Sequence, residues 1–366
     1  MTTVGVIGAG QLAMMTAEAA RSLSIPLAIL PSSPTDPAIP VADYVAKDLA
    51  DLAQRSSVIT FENEFCSLEE LRGFADRGVK FSPDLRCLAI LVNKYEQRQF
   101  LRHYNLPTPL YALLDDYLQQ PNPCFPAVAK LCRQGYDGKG TKIVNTKDEL
   151  VSYWASTGNA SIIVEPFIHF QQELAIMVAR SLSGEISLFP VVTTQQIDQV
   201  CRFVIAPARI SNNILSRINE IATTIVTSLN YVGILGIEFF LTDDQEILIN
   251  EMAPRPHNSG HYTIEGCLTS QFSQLLRSIL GMNLGATDMT APVAVMVNLL
   301  GLDITDKQYK DRLQQIQQFP RAYLHWYHKQ PRSGRKLGHV TILADSYDQA
   351  LMTAAAVEHL WYAQTS

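Results

Sequence analysis

The sequence predicts an α/β unit with a parallel sheet followed by α+β units, and three observations lead to that class. The chain opens on alternating strand and helix, changes near residue 125 to short β-rich runs, and returns to β-rich segments after residue 285. Residues 4–7 read as an apolar strand, 11–22 as an Ala- and Met-rich helix, 27–30 as a second strand, 58–60 as a later short one and 68–77 as another helix. This is a βαβ pattern, and it implies a Rossmann-like first domain. A helix over 94–104 leads into 107–126, which holds five prolines, paired aspartates and little periodicity, and is expected to be a connection. Beyond it, 127–131, 141–144, 161–165 and 173–179 read as strands, 215–229 as a helix and 234–250 as a hairpin. Strands at 293–299, 322–326 and 339–343 and a helix from 349 complete a small β-rich third part. The expected domains are 1–95, 96–285 and 286–366.

A chain of 366 residues suits two to three domains of about 150 residues. With 47% hydrophobic and 17% charged residues it is neither fibrous nor disordered. Its net charge of −6 provides no basic field for a phosphate backbone, which excludes nucleic acid as a main partner and leaves small anions, held by local clusters, as ligands. The apolar N-terminal stretch has no basic region before it and runs into a glycine turn. The longest other apolar run, 291–300, is half of the roughly 20 residues a membrane helix needs, so no membrane association is expected. Six scattered cysteines without a CxxC pair suit reduced thiols in the cytoplasm.

Gly8-Ala9-Gly10-Gln11-Leu12-Ala13 follows a strand and opens a helix, which fits a dinucleotide fingerprint, a turn contacting another ligand, or a plain tight turn. The acid that should meet a cofactor ribose is missing after the second strand, where Pro31-Ser32-Ser33 stands instead. Lys130 ends an apolar strand and precedes Gly135-Tyr136-Asp137-Gly138-Lys139-Gly140-Thr141. Two β-runs bracket that loop, so it is a hairpin whose bare N–H groups and Lys139 can approach phosphate, not a P-loop. The strand ending Glu165-Pro166-Phe167-Ile168, with Glu173 beyond it, can offer backbone groups to a base edge and carboxylates to an exocyclic amine and to ribose hydroxyls.

Glu238 and Glu251 lie on two strands whose expected two-residue turn at Asp244-Gln245 sets them directly opposite. Opposed carboxylates repel unless a cation lies between them, and Glu238, Asn250 and Glu251 are hard oxygen ligands of the kind magnesium takes. A one-residue slip would separate the two acids onto opposite faces. Next comes Met252-Ala253-Pro254-Arg255-Pro256-His257-Asn258-Ser259-Gly260-His261, a polar loop whose prolines argue against the helix a zinc pair would need. Lys329, Arg332, Arg335 and Lys336 cluster near Gly and Pro turns, which suits a phosphate monoester.

Taken together, the Gly8 to Met15 turn, the Gly135 to Gly140 loop, the Asn250 to His261 run and Gly334-Arg335-Lys336-Leu337-Gly338-His339 resemble the ATP-grasp ligases, specifically the N5-carboxyaminoimidazole ribonucleotide synthetase family. The resemblance covers essentially the whole chain. It implies an ATP-grasp architecture over 96–285 and carboxylation of 5-aminoimidazole ribonucleotide by bicarbonate through carboxyphosphate, with ATP and magnesium, or manganese in its place, as cofactors. It implies a homodimer of purine biosynthesis. ATP contacts fall to Lys94, where the family usually has arginine, to Lys130, to the lid Gly135, Tyr136, Asp137, Gly138, Lys139, Gly140 and Thr141, and to Glu165, Pro166, Phe167, Ile168, Glu173, Gln196, Asn250 and Glu251. The metal falls to Glu238, Glu251 and Asn250, and the ribonucleotide to Gln11, Tyr136, Asp137, Lys139, Arg255, Asn258, Ser259, Lys329, Arg335 and Lys336. Arg255, Lys130 and Asp137 are the implied catalytic residues. A formate-using ligase on a phosphoribosyl substrate, an NAD-dependent oxidoreductase and a non-catalytic nucleotide-binding module are the competing readings.

Overall fold

The computed structural model describes residues 2–64, 66–133 and 140–363. Its first sheet is parallel and four-stranded, in the order Tyr44–Val45, Leu27–Leu30, Val4–Ile7, Val58–Phe61. Parallel strands need crossovers, and helix Gln11–Ser22 supplies the first of them. That helix buries Leu12, Ala13, Met14, Met15, Thr16, Ala17 and Ala20, more than one face of its surface. Two partners account for this, because Met14 and Met15 belong to one apolar cluster with Val4 and Ile29 of the sheet and with Phe272 and Leu276 of helix Gln271–Ile279. The packing fixes Gln11, at the start of the helix, relative to the rest of the molecule.

A second, antiparallel sheet runs Ala112–Leu113, Ile162–Pro166, Ala127–Leu131, Thr141–Val144. The expected plain connection at 107–126 is corrected here: it contains strand Ala112–Leu113 and helix Leu114–Leu118, whose Leu114 and Tyr117 close an apolar cluster with Ala129, Leu150 and Val164. Five helical residues are too few to show a period of 3.6.

The largest sheet has nine strands, in the order Ile247–Ala253, Gly233–Thr242, Phe170–Arg180, Val192–Ile197, Val200–Ala206, Val293–Leu300, Lys336–Ala344, Ala322–Trp326, with Ile186–Leu188 paired to Phe170–Arg180. Val293–Leu300 joins Val200–Ala206 with Val204 opposite Met296, so the C-terminal strands continue the central sheet. Strands Ile186–Leu188, Val192–Ile197 and Val200–Ala206 were not expected from sequence. Runs such as Thr193-Thr194-Gln195-Gln196 hide the alternation that marks a strand. Helices Leu49–Arg55, Leu85–Leu91, Lys147–Ser156, Gln271–Ile279 and Asp306–Ile316 also go beyond the sequence reading. Among the described residues no helix is long and apolar enough to cross a membrane.

Candidate active site

The hairpin of Gly233–Thr242 and Ile247–Ala253 sets the centre of the site. Its turn is not the two-residue one expected at Asp244-Gln245. Thr242 N donates to Glu246 O at 2.9 Å, Gln245 N donates to Thr242 O at 3.0 Å, and Gln245 takes φ 62°, so three residues, 243–245, make the turn. Leu241 therefore pairs with Ile247, one position off the expected register. Continued unbroken, that register would put Asn250 opposite Glu238. A register shift after Glu238 pairs Phe239 with Ile249 and Glu238 with Glu251, leaving Asn250 as the extra residue of a bulge. The two carboxylates face each other as expected, by a different route.

Glu238 and Glu251 share their surroundings with Glu173, and burial and neighbouring charges shift the three carboxyls differently. Burial, with the Glu251 and Glu173 charges added, pushes the Glu238 carboxyl up to about 8. Burial pushes Glu173 up to about 7, against a hydrogen bond from Gln196 that favours its charge. Glu251 is also penalised by burial, but the Lys94 ammonium 2.7 Å away outweighs this and holds it below the usual range. Perturbed acids gathered in one place mark a functional site. Among the described residues no group of three or more His, Cys, Asp or Glu side chains forms a metal cage. The opposed pair fits a cation whose remaining ligands are phosphate oxygens and water.

Helix Lys94–His103 places three side chains against this hairpin at i, i+3 and i+4. Its N-cap, Asn93, accepts from Tyr95 N at 3.0 Å. Lys94 reaches Glu251, while Gln97 donates to Met252 O and accepts from Met252 N, both at 3.1 Å, on the open edge of the sheet. Arg98 donates to the Asn250 carbonyl at 2.8 Å and lies 2.6 Å from Glu165 Oε1. The bulge thus gives its backbone oxygen to an arginine and its side-chain oxygen to Lys130, which donates to Asn250 Oδ1 at 3.0 Å. Lys130 also lies 2.8 Å from Glu165 Oε2. Both oxygens of Glu165 are therefore engaged by cations. Burial alone would raise its pKa, but Arg98 and then Lys130 bring it down to about 2. Burial in turn pulls the Lys130 pKa down, against the pull of Glu165. Arg98 and Gln97 were missed in the sequence reading; the only signal was polar spacing on one face of an otherwise ordinary amphipathic helix.

The other side of the site starts at the first glycine turn. A Cβ at Gly10 would lie 2.3 Å from Glu62 Oε1, and one at Gly8 would lie 2.8 Å from Glu62 Oε2. The bare turn makes room for a carboxylate from the end of strand Val58–Phe61 where a dinucleotide would place its pyrophosphate. Glu62, which was also missed, is thus the turn's own partner, and its charge acts on Arg255. Arg255 lies 2.9 Å from Glu64 Oε1. Lys329 donates to Gln11 Oε1 across the domains. Asn258 and Ser259 sit in a single 3-10 turn, Asn258–Gly260, and Ser259 Oγ lies 2.9 Å from His257 Nδ1. Arg335 donates to Gln330 O at 3.2 Å beside the Gly334 turn.

A cluster of histidines, with His261 and His339 buried and His325 half-buried, adjoins this loop. His325 and His339 are parallel at 4.5 Å, and His261 lies 5.1 Å from His339. Burial, and then the His325 and His261 charges, hold the His339 pKa well below its ordinary value, so the native ring is neutral while the unfolded one titrates near 6.5. The stability this contributes is present above pH 6.5 and is lost as pH falls below it. Relative to His339→Phe, the wild-type chain should lose about 1.4 kcal/mol per pH unit between pH 6.5 and 5, measured by urea unfolding. Unfolding midpoints that stay parallel over that range would contradict the neutral ring.

Gln196, an exposed residue at a register irregularity, meets Glu173 as described. Thr141 pairs with Lys130, and Gly140 O accepts from Leu131 N at 2.7 Å, so residues 140–141 are anchored at the Lys130 strand. Pro166, Phe167 and Ile168 form the half-buried exit from strand Ile162–Pro166, and Phe167 N donates to Pro126 O at 3.0 Å. Lys336 is half-buried, and its charge acts on both Glu238 and His261. Gly135, Tyr136, Asp137, Gly138 and Lys139 lie outside the described residues.

An antiparallel sheet whose Lys130 bonds to the acidic hairpin of a larger sheet is the arrangement of an ATP-grasp protein. Residues 99–272 match the model of the ATP-grasp domain, 1–92 that of the ribonucleotide synthetase preATP-grasp domain, and 294–353 that of the phosphoribosylaminoimidazole carboxylase C-terminal domain. The chain is 42% identical to the N5-carboxyaminoimidazole ribonucleotide synthase of Synechocystis sp. over 99% of its own length and 98% of the relative's. It is 43% identical to that of Synechococcus elongatus over 98% and 95%. A crystal structure of an N5-carboxyaminoimidazole ribonucleotide synthetase with ADP superposes with a TM-score of 0.90 at 33% identity, covering 98% of this chain and 97% of the other. The Aspergillus clavatus synthase with ADP and 5-aminoimidazole ribonucleotide gives 0.89 at 29%, covering 98% of each. The chain belongs to the N5-carboxyaminoimidazole ribonucleotide synthase family.

Proposed function

We propose that the chain carboxylates the exocyclic amine of 5-aminoimidazole ribonucleotide, consuming ATP and bicarbonate and releasing ADP and phosphate. A bicarbonate oxygen attacks the γ-phosphorus of ATP and ADP leaves. The resulting carboxyphosphate gives its carboxyl carbon to the amine, with loss of phosphate and of the amine proton. Bicarbonate is a poor electrophile, and phosphorylation provides its leaving group. Transfer between two anions calls for charge neutralisation rather than covalent help. The observation that carries this reading is the hairpin itself. Lys130, Lys94 and the Glu238–Glu251 pair meet at its bulge, and its continuation delivers Arg255, Asn258 and Ser259.

In this reading Lys130 and the Gly135 to Thr141 lid hold the ATP phosphates. Glu165 to Ile168 line the adenine, with the backbone of the linker facing the base and the Glu165 carboxylate fixing Lys130. Glu173 and Gln196 hold the ribose. Glu238 and Glu251, with Asn250 beside them, would hold magnesium or manganese, which when bound supplies positive charge to phosphate oxygens. Arg255 faces the carboxyl group in transfer. Gln11, Asn258 and Ser259 hold the ribonucleotide, and Lys329, Arg335 and Lys336 its phosphate. Tyr136, Asp137 and Lys139 contact it from the lid, so that closure excludes water from carboxyphosphate when the acceptor arrives. We take the domains as 1–95, 96–285 and 286–366, in a homodimer acting in the cytoplasm.

The test is ADP release from ATP and Mg²⁺ with and without bicarbonate and the ribonucleotide. Strong dependence on the ribonucleotide is the expected result. Stimulation by a different phosphoribosyl amine, with none by this one, would overturn the acceptor.

A further inference from the structure

The strand Val293–Leu300 is buried along its whole length, and Asn298 is the only polar side chain in it. A buried amide in an apolar strand is costly unless every hydrogen bond is made. Here every one is. Asn298 Nδ2 donates to Asn258 Oδ1 at 2.7 Å and to Cys201 O at 2.9 Å, and Asn298 Oδ1 accepts from Asn258 Nδ2 at 3.0 Å. The amide is therefore bolted to the Asn258-Ser259 loop by a reciprocal pair.

A second bolt sits beside the first. Asn298 is directly opposite His339 in the sheet, and the His339 ring lies 5.1 Å from His261, at the other end of the same loop. Tyr327 fixes His339 through a 2.7 Å contact at Nδ1. Gln271, fully buried, meets His261 Nδ1 at 3.0 Å and holds both the N–H and the carbonyl of His257 at 2.9 Å. A Cβ at Gly260 would lie 2.5 Å from the Gln271 side-chain oxygen, so the loop can sit this close only with glycine there. Lys336 begins the strand that carries His339, two register positions beyond Asn298 at Leu300.

We propose that Asn298 is a positioning residue that fixes the span between the Asn258-Ser259 loop and the Arg335-Lys336 cations, and thereby selects an acceptor whose amine and phosphate monoester are one ribose apart. The inference rests on the acceptor reading above. Asn298 touches no substrate; it acts by holding one grip of the acceptor at a set distance from the other. Its remaining bond, to Cys201 O, is a backbone contact on the strand that pairs with Gln196, and none of the hydrogen bonds Asn298 makes goes to a side chain assigned to the nucleotide, so KM for ATP is the control that separates an acceptor effect from a general one.

The experiment is steady-state kinetics of Asn298→Ala and Asn298→Asp with the ribonucleotide and with its unphosphorylated riboside. Removing one partner of a buried pair should raise KM for the ribonucleotide about tenfold or more in the alanine variant, with KM for ATP within about twofold of wild type. The preference for ribonucleotide over riboside should fall by a similar factor. Asp keeps the shape, and as the neutral acid it can accept from Asn258 Nδ2 and donate to Asn258 Oδ1 while losing the bond to Cys201 O, so its effect should be intermediate at a pH where it is protonated, and it stands in there if the alanine variant does not fold. Unchanged ribonucleotide KM and unchanged preference would overturn the proposal, as would equal losses toward ATP, ribonucleotide and riboside. A wild-type enzyme indifferent to the ribonucleotide would remove the acceptor reading itself, a failure seen before any variant is made.

Discussion

Glu238→Gln should lower ATP-dependent turnover by about 10²–10³-fold while making the ligand-free protein more stable. The activity loss follows from removing one of the two opposed carboxylates that would hold a cation against the phosphates, where charge neutralisation carries most of the barrier lowering. The stability gain follows from the same geometry, since burial and the facing Glu251 charge push the Glu238 carboxyl up to about 8, and holding it protonated near pH 7 costs free energy that an amide does not. Relieving such strain at a site built for function stabilises by roughly 0.5–2 kcal/mol. The two effects have opposite signs, which separates them from ordinary unfolding. Thermal melts with and without Mg²⁺ and ATP would check both: wild type should be stabilised by the ligands far more than the variant. A variant that keeps its turnover, or one that is both inactive and less stable, would contradict this assignment of the hairpin.

Arg98→Met should destabilise the fold by about 3–5 kcal/mol, because it leaves Glu165 buried with one cation in place of two. Removing one member of a buried charge cluster costs more than the cluster contributes, since the abandoned charge stays desolvated. Arg98 also supplies the donor to the Asn250 carbonyl, the backbone oxygen that the bulge frees from the ladder. Its loss therefore loosens the residue that restores the Glu238–Glu251 register, and KM for ATP should rise with the loss of stability. The double variant Arg98→Met, Glu165→Gln should recover a substantial part of the lost stability, since no buried carboxylate is then left short of partners. Urea unfolding of the two variants checks this. A double variant as unstable as the single one would mean that the arginine matters for its packing and not for its charge.

The hairpin shows how far the sequence could be read. Alternating apolar residues on either side of Thr242-Asp243-Asp244-Gln245-Glu246 identified two strands, and hard oxygen donors on them identified a site. The turn type was misjudged because Gln245 adopts a positive φ that glutamine seldom takes, and the compensating bulge at Asn250 has no sequence signature of its own. Glu62 and Arg98 were missed for a different reason. Each acquires its role through contacts between segments distant in the chain, Glu62 with the Gly8 and Gly10 turn and Arg98 with Glu165 and Asn250. Local periodicity carries no information about such pairs. Motifs made of contiguous residues, such as the Asn250 to His261 run, were legible, and so was the parallel sheet of the first domain. The strands from 186 to 206 were not, because their half-polar faces pair within a larger sheet and show no clean alternation.

In the proposed mechanism the site phosphorylates bicarbonate before the amine is carboxylated. Turnover with bicarbonate labelled with oxygen-18, followed by mass analysis of the inorganic phosphate released, tests it most directly. Phosphate should acquire an oxygen from bicarbonate in step with ADP formation. Phosphate carrying no label, at full product yield, would contradict it.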